Sequence, residues 1–181
     1  NFIAFSVAAL INLPGNALGS ASTIITGKRL GTGQLAQAER QLRHVFWMST
    51  IVLTVIAWGT APFAGLFASF YTHEEDVKEV VKILLWMNAA FMPIWAASWV
   101  LPAGFKGARD VRFAMWVSML SMWGCRVVVG YVLGILLGWG VVGVWMGMFL
   151  DWAARATLFY RRLITGRWAW KYAPAKKEDA K

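Results

Sequence analysis

The 181-residue chain is 59% hydrophobic and 15% aromatic, with only 15% charged residues and a mean hydropathy of +0.53. A soluble domain carries about 25% charged residues, so this deficit speaks against a soluble enzyme or binding module. The net charge of +9 is concentrated in particular loops, which makes it a topology signal rather than a nucleic-acid surface.

Long uncharged runs predict an all-α, polytopic membrane protein with five transmembrane helices, near 2–26, 45–70, 79–102, 113–136 and 140–163. The first span is interrupted by Asn12-Leu13-Pro14-Gly15-Asn16, where the proline removes a backbone donor and predicts a kink. Gly15 and Gly19 form a small-xxx-small step that lets another helix approach. The loop that follows is basic, with Lys28, Arg29, Arg40 and Arg43, and residues 34–44 read as a surface helix leading into the second span. Glu74, Glu75, Asp76 and Glu79 make the next loop acidic; their carboxylates suit the first turn of the third span. That span carries Asn88 and Pro93 at its middle and ends near Pro102. Lys106, Arg109 and Arg112 then outnumber Asp110, the turn between the last two spans is uncharged, and seven basic residues follow from Arg161 onward. Residues 173–181 read as a disordered basic tail. Basic loops on one side only place the start of the first span outside and the C-terminus in the cytoplasm, in a cell (inner) membrane. The N-out start, the odd span count and the missing initiator Met together predict a piece of a longer polypeptide.

Between Phe113 and Ala154 there are two charges, Arg126 and Asp151, equidistant from Gly138-Trp139-Gly140. Folded as an antiparallel hairpin, the stretch pairs Arg126 with Asp151, Gly130 with Gly147 and Gly134 with Gly143. The charges then lie about 18 Å from the turn, near the middle of a core roughly 30 Å thick. A charge at that depth costs on the order of 3 kcal/mol or more unless paired. One reading makes the pair a structural clamp on a glycine seam; the other makes Asp151 a group that exchanges a coupling ion. A nearby guanidinium holds the carboxylate ionised, which favours the clamp. Arg155, one turn on, competes for the same carboxylate. A reciprocal exchange of Arg126 and Asp151 is expected to restore what Asp151→Asn loses.

Asn12, Asn16, Asn88 and Ser98 are polar within spans, and the asparagines sit beside Pro14 or Pro93. An intramembrane Asn usually bonds a neighbouring helix, but interrupted helices near the midplane are also where transporters hold substrate. Asn12, Asn16, Asn88, Met92 and Trp95 are therefore cavity candidates, and Pro14 and Pro93 hinge candidates. Trp139, Trp168 and Trp170 are expected at membrane–water interfaces. Enzyme signatures are poor. His44 and His73 fall on opposite sides of the membrane, so they share no metal, and the lone Cys125 supports neither a disulfide nor a thiolate metal site.

Three stretches in order resemble the C-terminal half of multidrug and toxic compound extrusion (MATE) transporters, of the multidrug/oligosaccharidyl-lipid/polysaccharide flippase superfamily. They are residues 14–40 (PGNALGSASTIITGKRLGTGQLAQAER), 102–112 (PAGFKGARDVR), and 123–162 with WGCRVVVGY and GVVGVWMGMFLDWAARATLFYRR. The resemblance implies helices eight to twelve of twelve: part of one six-helix lobe, with the N-terminal lobe of the same polypeptide missing. It also implies efflux of organic cations by Na⁺ or H⁺ antiport through alternating access, with no cofactor beyond the coupling ion. Some members of the family carry a coupling carboxylate in the tenth helix. The corresponding position here is about Trp95, and no acid occurs in 83–105, so the carboxylate is expected in the other lobe. Expected partners are membrane lipid and a cationic or amphipathic small molecule, with no nucleic acid. A lipid-linked oligosaccharide flippase of the same superfamily is the alternative; basic residues lining the cavity would favour it, but Arg126 is the one expected there and Asp151 neutralises it, so the cation reading is preferred. A non-transporting scaffold subunit is a further alternative.

Overall fold

A computed structural model describes residues 2–71 and 74–172, and the side chains of Phe2, Ile3, Tyr71 and Trp170 are outside that description. His73 and the 173–181 tail likewise lie outside the described residues. Every regular element among the described residues is helical. Helix α1 spans Phe2–Gly31 and runs through Pro14; α2 spans Leu35–Thr60; α3 spans Ala64–Tyr71; α4 spans Glu75–Gly107; α5 spans Val111–Ser121; and α6 spans Gly140–Ile164.

Local chemistry sets the breaks. At the end of α1, Gly33 takes a left-handed φ of 75°, and the amides of Gly33 and Gln34 return to the carbonyls of Leu30 and Arg29. Pro62, in the first turn of a 3₁₀ segment at Ala61–Phe63, separates α2 from α3. The surface helix expected over 34–44 forms the first three turns of α2 and runs unbroken into the second span. Glu75 and Asp76 occupy the first turn of α4. At the other end of α4, Arg109 is left-handed (φ 59°) without being glycine, and the Asp110 amide closes on the Phe105 carbonyl. Beyond Ser121 the chain departs from the expected regular helix and widens into π-helical turns at Met122–Val129 and Val132–Leu136.

By length and composition, three stretches among the described residues can cross a membrane alone: Leu35–Phe70, Glu75–Gly107 and Val111–Leu136. Helices α1 and α6, 30 and 25 residues long, carry polar residues, Asn12 and Asn16 on one and Asp151 and Arg155 on the other. Helices α1 and α4 run parallel in a fixed register. A Cβ on Gly15 would strike the Trp95 ring, and one on Gly19 would lie 3.6 Å from Trp99. Thr23 Oγ1 donates to the Ala103 carbonyl at 2.8 Å, and Gly27 meets Gly107. Each contact joins residues 80 apart.

Two apolar clusters fill the bundle. One, around Leu53, Leu84, Met92 and Phe149, includes the stacked Phe91 and Phe149 rings, 4.4 Å apart. The other, around Leu42, Leu101, Phe105 and Phe159, takes in Trp168, which stacks on Phe105. Trp168 is therefore buried rather than half wet at an interface: the 3₁₀ turns at Arg167–Tyr172 fold it back under the helix ends.

Candidate functional site

The described basic loops gather at one end of the bundle. The Asp110 carboxylate accepts from Arg162 Nε at 2.6 Å and Nη2 at 3.1 Å, and the Arg162 guanidinium lies 3.9 Å from the Phe113 ring centroid. Lys171 Nζ donates to the Arg109 carbonyl. Nothing in the sequence reading pointed to this lock.

Deeper in, Asp151 is fully buried, with 0% exposure. Its Oδ2 takes Arg155 Nη2, one turn along the same helix, and its Oδ1 takes the Ser121 hydroxyl from α5. Arg126 Nε lies 3.7 Å away, inside ion-pair range but without a hydrogen bond. The expected order is thus reversed: Arg155 is the direct partner, and Arg126 is the second cation. An i,i+4 partner needs no reach across a helix–helix gap. With two guanidiniums and one carboxylate, the cluster carries one surplus positive charge.

The glycines hold the hairpin together beside this cluster. A Cβ on Gly147 would sit 2.7 Å from the Cα and N of Gly130, and one on Gly143 would sit 2.7 Å from Gly134 N. Backbone therefore meets backbone along the seam, as in other small-residue crossings.

Arg155 also reaches a polar groove of about 460 Å³ between α1, α4 and α5. Asn16, Thr23, Ser98, Ser118 and Lys106 contribute to its walls, and no carboxylate lines it. Lys106 is exposed and has no ion pair among the described residues. The basic lining is therefore Lys106 and Arg155, not Arg126. Ser121 and Ser118 escaped the sequence reading, which took Lys106 only as part of a basic loop; hydroxyls at 118 and 121 inside an otherwise apolar stretch were the available signal.

Of the cavity candidates, Asn16 alone lines this groove. Met92 and Trp95 are packed in the core, where Trp95 covers Gly15. Asn88 is 1% exposed beside a small void, with neither amide atom hydrogen-bonded among the described residues. Asn12 is half-buried. The bulk of Trp95 between α1 and α4 turns this part of α4 inward. Pro93 lines a separate lateral recess with Trp47, Ile94 and Tyr160, and Pro14 is half-buried on α1. No group of three His, Cys, Asp or Glu among the described residues could hold a metal.

The chain is 26% identical over 167 residues to the uncharacterized transporter YisQ of Bacillus subtilis, covering 92% of this chain and 36% of that protein. It is 22% identical to the probable multidrug resistance protein NorM of Pasteurella multocida, covering 89% of this chain and 36% of the relative. Against the multidrug resistance protein MdtK of Yersinia pseudotuberculosis the identity is 26%, over 96% of this chain and 38% of the relative. The chain thus spans a little over a third of the length of these relatives. The MatE family profile matches residues 2–132, well over half of the chain. With a glycine-seamed helical bundle, three stretches able to cross a membrane alone and a polar groove opening between helices, the chain belongs to the MatE family of membrane transporters.

Proposed function

We propose that the chain forms the C-terminal part of an efflux transporter that works by alternating access and is driven by Na⁺ or H⁺. The observation that carries this reading is the polar groove between α1, α4 and α5, in contact through Arg155 with a buried charge cluster inside an otherwise apolar bundle. In a membrane such a groove is costly unless water or a polar solute uses it. The printed names of NorM and MdtK, both multidrug resistance proteins, support export of small molecules. The matched family supports a transporter over a scaffold subunit. The basic end faces the cytoplasm, as the positive-inside rule requires.

Coupling through Asp151 is disfavoured, because Arg155, Ser121 and Arg126 already surround its carboxylate. The coupling carboxylate then belongs to the lobe that precedes this one. Efflux of a cationic dye from vesicles, with Na⁺ and proton gradients imposed separately, tests the reading; no gradient-dependent efflux under either condition would refute it.

A second reading has a specific observation behind it. Lys106 and Arg155 make the groove basic, which suits an anionic, lipid-linked sugar better than a cation. Under the first reading, cations bind across the cavity against the other lobe, and this wall repels them toward it.

A further inference from the structure

A second groove, of about 670 Å³, lies between α1 and α2 at the basic end of the bundle. On α2 its rim is Gln37, Arg40, Gln41 and His44, spaced i, i+3, i+4 and i+7 and so on one face of the helix. Val45 and Met48 continue that face toward the apolar middle, and Ile25 of α1 closes the opposite wall. Lys28 lies one turn beyond Ile25, at the edge of an adjoining recess. The groove therefore changes along its length from cationic and hydrogen-bonding to purely hydrocarbon.

The cations at the rim are not all alike. Arg43 is engaged by Glu39 at 3.1 Å, and Arg29 by the side chains of Gln41 and Gln34. Arg40, His44 and Lys28 are exposed and have no side-chain hydrogen bond or ion pair among the described residues. Two unmatched cations, Arg40 and Lys28, with the His44 imidazole beside them, stand above an apolar slot where the helices enter the hydrocarbon, and they match an amphiphile with an anionic head. Basic pockets between spans at a cytoplasmic surface are suited to acidic lipid headgroups.

We infer that this groove seats an anionic phospholipid, its phosphate against Arg40, His44 and Lys28 and an acyl chain along Ile25, Val45 and Met48. The site is distinct from the α1–α4–α5 groove and requires only that the helices span a membrane, whatever solute is carried. Occupancy would fix α2 against α1 and set the depth of this end in the bilayer.

The test is thermal unfolding of the detergent-purified protein titrated with phosphatidylglycerol, phosphatidylcholine or inorganic phosphate. Phosphatidylglycerol is expected to raise the midpoint, with little effect of the zwitterionic lipid or of free phosphate. Arg40→Gln should weaken the phosphatidylglycerol effect about fivefold in apparent affinity, and R40Q/K28Q further. Arg43→Gln, outside the groove and already neutralised by Glu39, should leave it unchanged. Met48→Asp, placing a carboxylate where the chain would lie, should abolish it, with circular dichroism confirming that the variant is folded. Equal stabilisation by both lipids, an undiminished effect in R40Q/K28Q, or reproduction of the effect by inorganic phosphate would overturn the assignment.

Discussion

Asp110 and Arg162, 52 residues apart in sequence, meet as a two-pronged ion pair that joins the exit of α4 to the end of α6. The guanidinium fork donates to both carboxylate oxygens, and the Phe113 ring lies against the guanidinium. Asp110→Asn should lower stability by about 1.5–3 kcal/mol, the range for hydrogen bonds to charged groups. Arg162→Lys, which keeps the charge but not the fork, should fall between that variant and the parent. Thermal unfolding in detergent measures both.

Around Asp151 the geometry reverses the outcome expected from sequence for the reciprocal exchange. Arg126→Asp with Asp151→Arg would place an arginine one turn from Arg155 and opposite Ser121, so the double variant should be no more stable than Asp151→Asn. Removing the carboxylate alone leaves two buried or half-buried cations and should cost about 3–5 kcal/mol. Arg155→Gln should cost more than Arg126→Gln, because Arg155 is 13% exposed and Arg126 is 39% exposed. Folded yield in membranes and retention of a single elution peak report each case.

Along the glycine seam, a methyl group decides the helix separation. Gly147→Ala puts a Cβ 2.7 Å from Gly130 backbone, which cannot rotate away, and should destabilise by about 1–3 kcal/mol. Gly124→Ala, with nothing within 4 Å of the new Cβ, is the control and should be neutral or slightly stabilising. Comparison of unfolding midpoints separates the two.

Lys106 offers a charge test of the α1–α4–α5 groove that folding does not confound. Being exposed and unpaired, Lys106→Gln should change stability by no more than about 0.5 kcal/mol. If cations are exported, the variant should pass a cationic dye faster than the parent, measured as initial efflux rate. Slower translocation of an anionic lipid-linked sugar, with dye efflux unchanged, would favour the flippase.

Pro14 and Pro93 lie inside continuous helices, where each removes one backbone hydrogen bond. As hinges, they should be replaceable by Ala with stability retained or raised and efflux slowed. Unaltered efflux in Pro14→Ala and Pro93→Ala vesicles would remove hinging from the mechanism.

What the sequence disclosed and what it hid have physical reasons. The pairings of Gly130 with Gly147 and of Gly134 with Gly143 followed from symmetry about a tight turn, because near the turn the register has little room to drift. Farther away it drifts: π turns take more residues per turn than α turns, so Gly147 also meets the Cys125 carbonyl and Asp151 finds Ser121. No hydropathy pattern reports such widening. Trp95 reads as a cavity residue from its neighbours, yet Gly15 opposite provides the notch that buries it, a fit visible only once α1 and α4 are aligned. The Asp110–Arg162 lock was hidden for a similar reason, since it joins the α4–α5 turn to the last turn of α6, whose proximity depends on the whole topology.

The constant spacing of 80 between touching residues of α1 and α4 works like the teeth of a rack. Moving one helix past the other by a single tooth, about 6 Å, would drive Trp99 onto Thr23 in one direction and Trp95 onto Ile11 in the other, and neither residue offers a notch. Axial sliding between these two helices is therefore blocked at every step. If the proposed alternating access holds, the motion must carry this pair as a single strut and bend or pivot at its borders.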